Sequence, residues 1–424
     1  MSRRVFRAGA VCAATTAALA VGVASASASA LYVSNTAPIV KGGKSCTAPG
    51  YNSVQAAIEA GSTVDVCPGT YTEQLSITKA VKLVAIAGTG TATVRLPAGA
   101  ADSMSSCDTK EGLEQIDEVS ICTSSTVTIT DLNVEALIPL ETCGKSPNGI
   151  GLNGIFVADS GTLKASNLTV NGASTTVDAF KGCQHGISIA VGLKTPNEVG
   201  NAVLKKVTSI GYEKNGPTVR GIGSTLAMSA STVVGEASPY TAQNGVEIAF
   251  GGKGVVKSST ISGNECNLLP ECEVTAEQAA GVLFYQAAPG SSVSSSTISE
   301  NDLGIEYTSF SASVPASPEV TMTKDVLTGN RYDGVVLEEG NAALSNVTIN
   351  GSGRVGIDLL QAAGQKSAIE SSATNTKVSG QSEASIKVSS DKQPADKAGK
   401  FTFTKGTAAA PVLINESSNF EVIF

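Results

Sequence analysis

The sequence predicts an all-β solenoid, a parallel β-helix, on three observations. The first is a repeat: one variable residue, a glycine, then isoleucine or valine, found as NGI at 153, HGI at 185, RGI at 220, NGV at 244, AGV at 280, LGI at 303, DGV at 333 and VGI at 355. The second is what lies between these glycines, a further strand-like segment each time, such as LKASNLTV, VVKSSTIS or LSNVTIN. The third is a period of two. Positions one and three after the glycine are almost wholly apolar and position two is mixed, as in Ile155-Phe156-Val157, Val246-Glu247-Ile248 and Ile305-Glu306-Tyr307. Units this short leave no room for a crossover helix, and a single unit cannot bury its own apolar face, so successive units must stack. Leucine-rich repeats would stack too, but the LxxLxLxxN pattern is missing. Composition agrees: aromatics are 4%, tryptophan is absent and there are 44 glycines, which suits short strands broken by turns.

Taken in order, residues 1–30 read as an export signal, with Arg3, Arg4 and Arg7, an apolar stretch to Val23 and a closing Ala28-Ser29-Ala30. Ser2-Arg3-Arg4-Val5-Phe6 is similar to a twin-arginine signal, and an ordinary Sec signal fits equally. Residues 31–62 form an N-terminal region with a short amphipathic helix, Ser53 to Ala60, whose Val54, Ala57 and Ile58 face inward to cap the first coil. The β-helix then runs over 63–424, with loop insertions near 97–122 and 262–278 and with KFTFTKG and NFEVIF covering the last coil.

The formal charge of −8 becomes three units more negative once the leader is removed, which makes nucleic acid and anionic membranes poor partners. No stretch after the leader is apolar enough to span a membrane. Removing Cys12 with the leader leaves eight cysteines, an even number that in an exported chain favours disulfides. Near-neighbour pairing is expected, Cys46 with Cys67, Cys107 with Cys122, Cys143 with Cys183 and Cys266 with Cys272, although sequence leaves other connectivities open. No zinc spacing is present, and no metal or cofactor is expected.

With these repeats the chain resembles the right-handed parallel β-helix superfamily, the pectate-lyase-like fold, over nearly its whole mature length. YNSVQAAIEAGSTVDVCPGTYTEQLSITKAVKLVAIAG, residues 51–88, is similar to the capped first coil of such proteins. GCQHGISIAVGLKTPNEVGNAVLKKVTSIG is similar to the histidine-bearing region of polygalacturonases around His185-Gly186. That family carries two aspartates on the preceding coil, and the resemblance puts Leu152 and Asn153 there, which cannot perform acid–base hydrolysis. GTYTE, with Gly69, Tyr71 and Glu73, resembles the opening motif of pectinesterases, whose later motifs are missing. The superfamily hosts many functions, so the resemblance specifies fold rather than activity.

His185, the one histidine, falls in the column just before the repeated glycine, with Asn153, Arg220 and Asn244. Such polar residues are ordinary at turns, and on consecutive coils about 4.8 Å apart they line a shallow groove. Low-ranked catalytic candidates are His185, Arg220, Glu247 and Glu306, the two glutamates facing outward two coils apart with Leu283 between them. Ligand-binding candidates are Asn153, His185, Arg220, Asn244, Tyr285 and Tyr307, and Phe156 offers a further ring for stacking. GIGLNG at 149–154 fits a dinucleotide-binding pattern by chance, since it precedes a strand. The expected function is that of a secreted, non-catalytic polysaccharide-binding or surface-interaction module. The alternative is a polyuronide hydrolase or lyase with an unidentified carboxylate site.

Overall fold

The structure, a computed structural model, describes residues 29–424 except 89, 101–114, 141–150, 184, 195–197, 239, 268–271, 273–277, 309–318, 339, 362–369, 391–398 and 415–419. Three long parallel sheets wrap one interior. The first has 14 strands, from Leu31–Val33 to Glu421–Ile423; the second and third have 12 each, from Gly69–Thr72 to Thr407–Ala408 and from Leu75–Ile77 to Val412–Ile414. Each coil gives one strand to each sheet, so every strand pairs with its equivalents on the coils before and after. The one antiparallel pair of strands among the described residues is the small ribbon of Lys44–Ser45 with Ala48–Pro49.

Inward columns run the length of the third sheet. Ile155 pairs with Val119 and Ile189, Val157 with Ile121 and Val191, and further along Val246, Val282, Ile305, Val335, Ile357 and Ile386 follow one another in register. All are buried in a single hydrophobic core that extends from Val33 to Phe420. The expected columns need two corrections. Ile187 pairs with Asn153 and Asn215, two residues out of the anticipated register, and packs outside the coil against Phe156, Ala190 and Leu193. Ile222 is 73% exposed in a turn, and the strand Asn215–Arg220 supplies that coil with Pro217 and Val219 instead. The motif at 220 therefore belongs to a turn, and Asn215-Gly216 holds the repeat position.

The repeated glycine is required by space rather than by dihedral. Gly154, Gly216, Gly245, Gly281, Gly304, Gly334 and Gly356 stand at the corner where the third-sheet strands begin, within the strands themselves, and a Cβ on each would lie within 3.0 Å of an inward side chain of the second sheet. At Gly245 it would fall 2.4 Å from Ile261 Cγ2 and 2.5 Å from the Gly281 carbonyl. Other coils depart from the pattern, with Glu118, Ser188 and Ser385 at the equivalent position. Ser188 faces Ser209 instead of a branched residue, and Ser209 Oγ donates to Ser188 Oγ at 2.7 Å, both groups buried.

The turn before that corner divides its work between two residues. Gly263, Glu300 and Gly329 take positive φ of 73°, 56° and 63°, and the asparagine after each points inward. Asn264 Nδ2 donates to Asn301 Oδ1 at 2.8 Å and Asn301 Nδ2 to Asn330 Oδ1 at 3.2 Å, a ladder begun by Tyr212 Oη on Asn264 Oδ1. These groups are buried, so the ladder satisfies polar atoms that would otherwise be costly.

The N-terminal helix spans Val54–Ala60, with Val54, Ala57 and Ile58 buried as expected. Ser53 caps it, its Oγ accepting from the Ala56 amide at 3.1 Å. Glu73 accepts from the Ser53 hydroxyl at 2.6 Å and from the Val54 and Gln55 amides at 2.7 and 3.1 Å, placing a negative charge at the helix start. Tyr71 Oη donates to the Cys67 carbonyl at 2.8 Å, so both side chains of GTYTE hold the first coil together.

At the other end, Lys400–Thr404 and Glu421–Ile423 are strands of the first sheet, not a separate cap. Phe401, Phe403 and Phe420 extend the core to the final turn, and Phe424 rests on Phe403 with centroids 6.2 Å apart. The insertions are also shorter than expected: Gln115–Cys122 is a fully buried strand of the third sheet, and Thr260–Ser262 with Asn264 belongs to the regular coil. Cys46–Cys67 and Cys266–Cys272 are bonded as expected. Cys122 and Cys183 are disulfide-bonded as well, and their expected partners Cys107 and Cys143 lie outside the described residues, as does nearly all of the leader.

Candidate functional site

The outward side of the third sheet carries most of the candidate residues. Because inward residues alternate with outward ones, each coil offers a corner position before the glycine and two further positions along the strand. On consecutive coils these are Asn215, Thr218 and Arg220, then Asn244, Glu247 and Ala249, then Ala280, Leu283 and Tyr285.

Three of the expected residues meet here, joined by one that the sequence does not flag. Arg220 Nη2 lies 2.7 Å from Glu247 Oε2, Asn215 Nδ2 donates to the same oxygen at 2.5 Å, and Asn244 Nδ2 donates to Asn215 Oδ1 at 3.0 Å. Asn244 Oδ1 in turn accepts the Ala280 amide at 3.3 Å. The result is a hydrogen-bonded lattice in which the largely buried Glu247 carboxylate is neutralised by the partly exposed Arg220. A carboxylate so committed is a poor general acid or nucleophile.

His185 is elsewhere. It precedes the third-sheet strand, is 2% exposed, and sets Nε2 3.3 Å from Glu213 Oε2. Glu213 accepts the Gly182 amide at 2.7 Å and the Thr175 amide at 3.3 Å. The next residue, Gly186, has φ of 89°, and a Cβ there would meet the Ala173 carbonyl at 2.4 Å. The histidine thus marks a tight bend, and the expected column is corrected twice: Asn153 and Asn244 share one with Ile187 and Asn215 between them, while His185 falls before it and Arg220 stands in the column of Ala249. Asn153 is also buried, donating to Asp117 Oδ1 at 2.6 Å.

Of the aromatic candidates, Tyr307 is corrected outright: it points into the interior, 0% exposed, edge-on to Phe284 with centroids 6.1 Å apart. Its place in an inward column, next to Phe284 and Leu337, dictates this. Phe156 faces outward but is covered by Ile187 and Leu193. Tyr285 remains half-exposed and packs edge-on against Phe250 at 5.1 Å, with Lys194 Nζ 4.9 Å from the Phe250 ring. Phe250 follows a regular strand in a left-handed turn conformation, φ 51°, a placement that periodicity does not reveal. Glu306 lies two coils from Glu247 with Leu283 between them, as expected. Among the described residues, no group of three His, Cys, Asp or Glu side chains is placed to hold a metal ion.

Coil geometry and sequence converge on one family. The sequence matches the family described as "Right handed beta helix region" over residues 153–378. The chain belongs to that right-handed β-helix family. No curated protein matches the sequence significantly. Among solved structures it is similar to a single-substitution mutant of the periplasmic alginate epimerase AlgG, with a TM-score of 0.50 and 9% identity, over 85% of this chain and 76% of that one. It is also similar to the Azotobacter vinelandii mannuronan C-5 epimerase AlgE6 A-module, with a TM-score of 0.45 and 15% identity over 88% and 93% of the two chains. A third is pectate lyase Pel9A, with 0.37 and 14% over 92% and 78%. At such identities the likeness concerns the fold.

Proposed function

We propose that this protein is secreted and binds polysaccharide along the outward face of its third sheet, with Tyr285 and Phe250 as the contact ring pair. The observation that carries the reading is the half-exposed Tyr285–Phe250 edge-on pair beside the Arg220–Glu247–Asn215–Asn244 lattice. An apolar ring face next to fixed hydrogen-bonding groups is what a sugar ring, apolar on one side and hydroxylated at its edge, recognises. Coils repeat about every 4.8 Å, so the face presents a long linear surface suited to a chain ligand. A polysaccharide, alginate, is also what AlgG is named for acting on, and that protein is similar to this chain only in fold. Secretion is supported by the leader and by Cys46–Cys67, since disulfides persist in oxidising compartments.

In this reading Arg220 and Glu247 brace the surface, His185 holds a buried bend away from it, and none of the three performs chemistry. The test is a glycan array followed by calorimetry on the polysaccharide that binds. Tyr285→Ala is expected to weaken binding about tenfold, near 1.4 kcal/mol. His185→Ala is expected to leave affinity unchanged wherever the variant folds. Full affinity after Tyr285→Ala would remove the proposed contact.

A further inference from the structure

We propose that the first sheet is a second binding face, separate from the third, and that it takes a linear polyanion without rings: an acyclic polyol chain joined by phosphodiesters. The face is built on strands that follow one another in that sheet, Val81–Ala85, Thr126–Thr130, Gly161–Ser166, Gly200–Lys205, Thr225–Ser229 and Lys253–Lys257. Their outward positions carry Lys82, Lys164, Lys205, Lys253 and Lys257, all exposed, and no aspartate, glutamate, arginine or aromatic residue. The chain as a whole has a formal charge of −8, so this positive face is a local feature that the total conceals. Ion pairs among the described residues engage other cations, among them Arg95, Lys181, Arg220, Arg331, Arg354 and Lys387, and leave these lysines unpaired.

The register sets these charges in file. Lys82 and Lys164 both pair with Thr128, so they share a column two coils apart, about 9.6 Å by strand spacing. Lys205 pairs with Ser166, two residues along from Lys164, and Ser229 links it to Lys257 in that next column, again two coils on. Lys82, Lys164, Lys205 and Lys257 thus step along the helix axis at backbone intervals of about 8–10 Å, and Lys253 flanks the end of the line. A row of unpaired cations on a rigid sheet complements a chain with negative charges spaced along it better than it complements a compact anion.

Two features select the class of polyanion. Every cation of the face is a lysine. A planar carboxylate is met best by the arginine fork, whereas a phosphate accepts the point charge of an ammonium from any direction, and Thr128 and Ser229 between the lysines add hydroxyl donors. The second feature is the lack of rings: with no aromatic platform on the face, nucleobases and sugar rings have nothing to stack on. In their place Val203, 47% exposed, continues the Lys164 column into Ala227 and Val255, a narrow apolar strip that fits the carbon backbone of an acyclic polyol.

The full chain is titrated by calorimetry with poly(glycerol phosphate), and with alginate and single-stranded DNA at equal charge. The expected result is saturable binding of poly(glycerol phosphate) that fades as salt rises from about 0.1 to 1 M, where the screening length shrinks from about 10 to about 3 Å. Lys164→Gln combined with Lys205→Gln should weaken it at least about tenfold with melting temperature kept, because both side chains are exposed. Removing the same charge elsewhere, by Lys41→Gln with Lys377→Gln, should leave affinity unchanged, as should Tyr285→Ala on the third sheet. No binding of poly(glycerol phosphate), or an equal loss from both lysine pairs, would overturn the first-sheet face and leave the third-sheet reading intact. Loss on Tyr285→Ala would move the polymer to the third sheet. Alginate or DNA bound as tightly, and weakened by the Lys164 and Lys205 pair, would overturn the assignment to a chain without rings.

Discussion

Gly245→Ala tests the packing argument at one atom. The added Cβ would lie 2.4 Å from Ile261 Cγ2, 2.5 Å from the Gly281 carbonyl and 2.8 Å from Asn264 Nδ2, so a core side chain, a neighbouring backbone and the asparagine ladder must all give way. Overpacking of this kind costs about 1–3 kcal/mol, and three close contacts place the site at the upper end. The stiffer unfolded chain returns about 0.4–1 kcal/mol, leaving a net loss of about 2 kcal/mol. Two other glycines supply the comparison. Gly99→Ala meets nothing within 4 Å and needs no left-handed backbone, so it should stabilise by a few tenths of a kcal/mol. Gly329→Ala meets nothing either, but its φ of 63° should cost about 1 kcal/mol. Urea unfolding followed by circular dichroism reads all three. Gly245→Ala proving as harmless as Gly99→Ala would refute the claim that space at the corner selects glycine.

Glu118, fully buried at the position where the next coil has Gly154, has its carboxyl raised well above 4.5 by burial first and then by Glu73 and Glu135. An acid that ionises more readily when unfolded makes stability fall as pH rises above about 4.5, so Glu118→Gln should stabilise clearly more at pH 8 than at pH 4, read from urea midpoints at both. Asn301→Ala removes the middle of the asparagine ladder, which accepts from Asn264 and donates to Asn330; unfolding free energy should drop by about 2–4 kcal/mol. Arg220→Ala strands the largely buried Glu247 and should cost about 3 kcal/mol, whereas Arg220→Met with Glu247→Gln should recover most of that by calorimetry.

How much is legible in the sequence follows from what each signal depends on. Stacked columns can be read wherever a coil supplies glycine at the corner and apolar residues one and three places on, as at Gly245, Gly281, Gly304, Gly334 and Gly356. They mislead where other chemistry substitutes for that pattern. Ser188 takes the corner with Ser209 as its partner, and Pro217 takes an inward place normally held by Ile or Val, so the HGI and RGI motifs nearby draw the register off by several residues. The capping helix is legible because its signal is local, Ser53 followed by buried Val54, Ala57 and Ile58. The site is less so. Arg220 meets Glu247, and Arg354 meets Asp333, across 27 and 21 residues, distances set by insertion length that a period of two cannot supply. The period of two itself separates the two tyrosines: Tyr307 stands third after Gly304, in an inward column, and Tyr285 fourth after Gly281, on the outward side, so the burial of Tyr307 is legible in the sequence.

The most direct test of the account is calorimetric titration of the intact chain with an array-selected polysaccharide, wild type beside Tyr285→Ala. The outward face of the third sheet as binding surface predicts saturable binding that weakens about tenfold on losing the ring, with melting temperature unchanged. Equal affinity in both proteins, or no heat of binding in either, would contradict it.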